Sequence, residues 1–136
     1  NAAYACIRQV SFGLLDMAYY TQDKPFEEDV LSFEKRAWEA AQLLPQPEET
    51  CMSVQFGHIM SGGYAAGYYS YLWTEVLAVN IADYFAKHGA LDPAVGQSFR
   101  DKILSRGNTK DQMEMFTDFT GMKQPDASGF LKARGL

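Results

Sequence analysis

Two histidines, two cysteines and eight tyrosines carry most of the side-chain chemistry open to these 136 residues. His58 and His88 stand thirty positions apart with no carboxylate at ligand spacing, so neither belongs to an H-E-x-x-H metal motif. There is no P-loop, no dinucleotide fingerprint and no G-x-S-x-G elbow. No Cys or Ser pattern around His58 marks a triad. Alone, the chain lacks a complete catalytic set. It does hold a dense polar and aromatic run, Phe56-Gly57-His58-Ile59-Met60-Ser61-Gly62-Gly63-Tyr64-Ala65-Ala66-Gly67-Tyr68-Tyr69-Ser70-Tyr71-Leu72-Trp73. On helical spacing Tyr64, Tyr68 and Tyr71 fall at i, i+4 and i+7 and line one face. A buried phenol seeks a partner for its donor, and three beside a histidine and a double glycine exceed what packing needs. The plainer reading stays open. Tyrosine stripes more often serve a core or an interface, a histidine after glycine often hydrogen-bonds within its loop, and Gly62-Gly63 can simply permit a turn.

These residues need elements to position them, and the chain reads as all-α, a string of helices without a convincing strand. Residues 1–44 are expected to form two helices. In the first, Ala2 to Tyr20, Ile7, Val10, Leu14 and Met17 make the apolar face, and its start carries no capping signal, as though the chain had been cut there. The second is expected from about Phe26, with Glu27, Glu28 and Asp29 in its first turn, where the helix dipole favours acids, and with Pro45 and Pro47 stopping it. Residues 45–63 form a long loop that ends in the glycine pair; a loop of that length is usually functional or disordered. A helix over 64–88 carries the tyrosines, with His88 at its C-terminal end. Three short helices fill 92–136: Asp92-Pro93 opens the first, a T-x-x-Q box at Thr109–Gln112 opens the second, and Gly121 ends it.

Composition removes several classes of function. Apolar residues are 47 % and charged residues 21 %, a globular balance. The net charge is −5, and the span from Asp23 to Glu49, with eight acids and three bases, accounts for all of it. No basic stripe remains to follow a phosphate backbone, so no nucleic-acid partner is expected. That acidic segment reads as a solvated helix face. Tyr64 to Ala86 has membrane-spanning length but carries Glu75, Asn80 and Asp83, which points to a buried helix and no membrane partner. Cys6 and Cys51 allow one disulfide at most; reduced, buried thiols in a cytoplasmic protein are the expectation.

The run from Phe56 to Trp73, with Gly96-Gln97-Ser98-Phe99-Arg100 and Ile103-Leu104-Ser105-Arg106-Gly107, resembles the C-terminal part of the thimet oligopeptidase family of zinc metallopeptidases. The likeness covers nearly everything from Gln55 onward, and the closing Gly135-Leu136 is similar to the end of such chains. The first fifty residues match mainly in helical character, with Asp16-Met17-Ala18 the best local similarity. The resemblance implies a two-part, mostly helical enzyme whose deep channel admits short unstructured peptides and excludes folded proteins. It implies zinc as the cofactor of the parent enzyme, held by H-E-x-x-H and a later Glu, with the motif Glu activating water. On that reading these groups lie upstream of Asn1. The 136 residues are then a C-terminal fragment of the catalytic domain, with no metal ligand, no bound zinc and no activity alone.

The resemblance also assigns roles. Tyr71 is the expected catalytic residue, donating to the developing oxyanion. Tyr64 addresses substrate, His58 contacts substrate backbone near the scissile bond, and Tyr68 is a weaker substrate-binding candidate. Gly62 and Gly63 form the hinge that swings the tyrosines. The partners are peptide substrate and the rest of the catalytic domain, and the isolated fragment is expected to self-associate through apolar faces left uncovered. Two other classes stay open: a metal-free helical peptide-binding module, and an interaction domain in which Tyr64 and Tyr71 are buried with their hydroxyls satisfied. Endopeptidase action and removal of C-terminal dipeptides are not separated by the sequence.

Overall fold

Helix α1 (Ala2–Tyr20) buries Ser11, Phe12, Leu15 and Asp16. That inward stripe is turned from the one expected, since Leu14 and Met17 are exposed. The expected stripe is apolar throughout, whereas the buried one mixes Phe12 and Leu15 with Ser11 and Asp16, so apolar periodicity points to the wrong face. The computed structural model describes all residues from 1 to 136, and its regular elements are helices throughout. They divide into two compact units, Asn1–Trp73 and Thr74–Arg134, with the last two residues shared between them.

In the first unit α2 spans Val30–Trp38 and tightens into a 3-10 turn over Glu39–Ala41. It starts four residues later than expected because Asp29 is its cap: the carboxylate accepts the Ser32 amide at 2.8 Å. Phe26, placed inside this helix by its periodicity, precedes it and packs edge-on against Phe33 at 5.1 Å. The helix also ends well before Pro45. The core gathers Phe12, Leu15, Phe33, Trp38, Phe56, Ile59 and Tyr68. Fully burying an aliphatic or aromatic side chain of this size is worth about 1.5–3 kcal/mol.

The acidic segment is not wholly a solvated face. Glu28 and Arg36 pair at the surface, but Glu34 is 0 % exposed. Its carboxylate accepts the amides of Met52 (2.9 Å) and Ser53 (2.7 Å) and the Ser53 hydroxyl (2.6 Å). These bonds tie down the segment read as a long loop, which also contains a one-turn helix, α3 (Gly57–Met60). Cys6 and Cys51 are free thiols, half-buried.

The longest later helix, α4, spans Ser70–His88. It begins six residues after the expected start, so Tyr64 and Tyr68 lie in turns ahead of it and only Tyr71 is helical. The double glycine and Gly67 are poor helix formers, and the turns are held instead by bonds such as Gly67 N–H to Tyr64 C=O at 2.8 Å.

In the second unit α5 (Pro93–Phe99) is capped by Asp92, which accepts the Ala94 amide at 2.7 Å, with Pro93 at its first position. It runs on into a π-helical turn, Arg100–Leu104. The next helix, α6 (Gln112–Thr120), is capped by Asp111, not by the Thr109 box: Asp111 accepts the amides of Met113 and Glu114. Gly121 ends it at φ +74°, the left-handed geometry glycine tolerates. The last helix is α7 (Ser128–Ala133). Tyr84, Phe85, Phe99 and Phe119 form an aromatic cluster with centroids 4.6–5.7 Å apart. Buried Asn80 exchanges two hydrogen bonds with the Asp126 backbone.

Candidate functional site

The local sequence of α3 explains how His58 is displayed. Phe56 and Ile59, three residues apart, are both buried, so a one-turn helix anchored at these points leaves His58 on the outside. The Tyr20 hydroxyl donates to the Ile59 carbonyl and fastens the turn to α1. The chain then folds back: the Ser61 and Gly62 amides both reach the Gly57 carbonyl, at 2.9 and 2.8 Å. Gly62 is required by this approach, because a Cβ there would sit 2.8 Å from the His58 carbonyl oxygen. Gly63 meets no such obstacle, with nothing within 4 Å of its would-be Cβ.

After this turn the expected residues come together, though not on one helix face. The His58 ring lies 5.4 Å from Tyr64, 5.9 Å from Tyr68 and 6.2 Å from Tyr71. Tyr64 and Tyr71 stack at 5.2 Å with planes 22° apart. They are 38 % and 39 % exposed, whereas Tyr68 is 8 % exposed. Tyr68 is a core residue: its ring meets Phe12 and Phe56 edge-on at 5.8 and 5.0 Å. Burial raises its pKa, while a hydrogen bond with Gln9 and the nearby charge of Arg8 work against that rise.

Tyr71 is the electrostatically distinct phenol. Its hydrogen bond with Tyr64, then lost solvation, then the proximity of Tyr64 and Tyr68 push its pKa from 10.0 up to about 12. It therefore stays neutral and protonated across the physiological range. The cluster presents two half-exposed phenols and an imidazole from one small surface. No group of three or more His, Cys, Asp and Glu side chains in this chain lies close enough to hold a metal ion by itself. His88 is in the other unit, stacked on Tyr84 at 4.0 Å.

In the sequence, the residue that binds this segment's backbone stands out only as part of a local similarity, with no role. Asp16, 0 % exposed on α1, accepts the amides of Ala66 at 2.8 Å and Tyr68 at 2.9 Å. The signal was an acid within an otherwise apolar stretch, between Leu15 and Met17.

Comparison with known proteins assigns the family. The model of peptidase family M3 matches residues 1–136. Oligopeptidase A of Escherichia coli K12 is 36 % identical over 137 residues, covering all of this chain and 20 % of the relative. Dipeptidyl carboxypeptidase of the same strain is 39 % identical over 138 residues, with the same coverage. The probable cytosolic oligopeptidase A of Arabidopsis thaliana is 34 % identical over 141 residues, again 20 % of its length. The chain thus spans about a fifth of the relatives it matches. Matched along its whole length, it belongs to peptidase family M3.

Proposed function

We propose that these residues form the C-terminal, substrate-facing portion of a zinc-dependent oligopeptidase that hydrolyses short unstructured peptides in the cytoplasm. Zinc, its ligands and the base that activates water are assigned to polypeptide upstream of Asn1. The family match and the names of the relatives support the peptidase reading. No helix is long and apolar enough to cross a membrane.

The roles follow from the side chains. When a peptide carbonyl is attacked, negative charge builds on its oxygen, and a preorganised neutral donor there stabilises the transition state more than the ground state. Tyr71 supplies that donor. Like any phenol it is protonated near neutral pH, and the upward shift of its pKa lies in the same direction. Tyr64, stacked on it, orients the phenol and binds substrate, and His58 contacts the peptide backbone beside the scissile bond. Tyr68, turned toward the core, touches substrate only at the rim of the cluster. Gly62 and Gly63 provide the hinge.

The observation that carries this reading is the convergence of His58, Tyr64 and Tyr71 with both outer phenols half-exposed. An interaction domain would bury these two rings, and their exposure counts against it. A metal-free peptide-binding module remains the competing reading, and an intact H-E-x-x-H upstream removes it. The test is Tyr71→Phe in the full-length protein, assayed on blocked and unblocked peptides with and without chelator. Loss of one such donor should lower kcat by about 10²–10³-fold with little change in KM. Unchanged turnover sinks the assignment. In His58→Ala, kcat/KM should fall, and normal kinetics would return His58 to a loop role.

A further inference from the structure

Asp16 is a carboxylate sealed inside the first unit, 0 % exposed and fifty residues distant in sequence from the amides it binds. Oδ1 takes the Ala66 amide and Oδ2 takes the Tyr68 amide. Between these contact points the backbone does something unusual. Ala66 has φ +54°, and it is the chain's one non-glycine residue with a positive φ. An L-residue avoids that region because its Cβ crowds the backbone, and such a conformation persists only where surrounding structure holds it. The two amide hydrogen bonds that the buried Asp16 carboxylate accepts are the holding structure. The turn they impose lies between Tyr64 and Tyr68 and sets where each ring goes: Tyr68 inward against Phe12 and Phe56, Tyr64 outward onto Tyr71.

We propose that Asp16 is the positioning residue of the tyrosine cluster, a buried latch whose two carboxylate oxygens set the turn at Ala66 and so hold Tyr64 and Tyr71 at the substrate. This rests on the functional reading above for what the tyrosines do, but not for what Asp16 does to the backbone. Asp16 acts on the backbone, through the Ala66 and Tyr68 amides. Its chemistry is specific. Asparagine has nearly the same shape but one acceptor oxygen, and its NH₂ would face one of the two amides, leaving a buried donor without a partner.

The experiment compares wild type, Asp16→Asn and Tyr71→Phe in the full-length protein, by steady-state kinetics on a blocked peptide and by amide hydrogen exchange resolved to residues 64–68. In wild type the Ala66 and Tyr68 amides should exchange at least about 100-fold more slowly than in an unstructured peptide, although the segment lies at the surface. In Asp16→Asn their exchange should rise about tenfold or more, with exchange in α2 and α6 unchanged, and kcat should fall about tenfold with KM within about twofold. Unprotected Ala66 and Tyr68 amides in wild type overturn the proposal, and this arm needs no variant to fold. It is also overturned if Asp16→Asn leaves their exchange unchanged, or if it speeds that exchange without lowering kcat while Tyr71→Phe is crippled. If Tyr71→Phe keeps full turnover, the functional reading fails instead, and the exchange data alone decide whether Asp16 sets the turn.

Discussion

Asp16 and Glu34 show how much of this molecule turns on single buried acids. Both are 0 % exposed, and both are satisfied by loop amides, so each converts a sequence-distant loop into a defined shape. Burial alone would raise the Glu34 pKa. The hydrogen bonds from the Ser53 side chain, the Met52 and Ser53 amides and Gln46 outweigh it, and the net shift is downward from 4.5. A depressed folded-state pKa means that the ionised group adds stability above its unfolded value. That stability is lost as pH falls through the folded one. The melting temperature of the full-length protein should therefore drop below about pH 4.5, and Glu34→Gln should flatten part of that drop. Parallel melting curves for the two proteins would refute this. Glu34→Ala should in addition cost about 1–3 kcal/mol for each buried amide left unpaired, read as a lower denaturation midpoint.

The turn from α3 to α4 is the element on which the site depends, and its two glycines are not equivalent. Gly62 lies where a Cβ would press on the His58 carbonyl at 2.8 Å, too close to backbone for a small adjustment, whereas Gly63 has open space. Gly62→Ala should shift the α3 turn and displace His58, lowering kcat/KM about tenfold or more, a loss on the scale of one misplaced binding group. Gly63→Ala should leave the resting structure intact. If it slows turnover at unchanged melting temperature, the glycine acts in motion and not in packing. Equal effects of the two substitutions on melting temperature would contradict the distinction.

Across the whole chain, apolar side chains remain on the surface of each unit, among them Val54 at 79 % exposure and Leu91 at 97 %. Uncovered apolar surface favours association. The 136-residue chain on its own should accordingly scatter light with a mass above that of a monomer, and should show no peptidase activity. A clean monomer at high concentration would argue against uncovered interfaces, and measurable hydrolysis would argue against placing the zinc and the base elsewhere.

The helical class, the Asp92-Pro93 start, the Gly121 stop and the neighbourhood of His58, Tyr64, Tyr68 and Tyr71 were all legible from residue order, because caps and breakers act within a turn and clustered residues stay close. Three features were not. The inward face of α1 depends on what packs against it, since the buried stripe carries Ser11 and Asp16 and the wholly apolar stripe is not the one buried. The start of α4 lies at Ser70 and not Tyr64: Gly62, Gly63 and Gly67 disfavour helix there, and the preceding turns also give two amides to a carboxylate fifty residues away in sequence. The burial of Asp16 and Glu34 likewise arises only when distant amides arrive to satisfy them. A charged oxygen is stable in the interior solely where donors converge on it, and that convergence is a property of the folded chain.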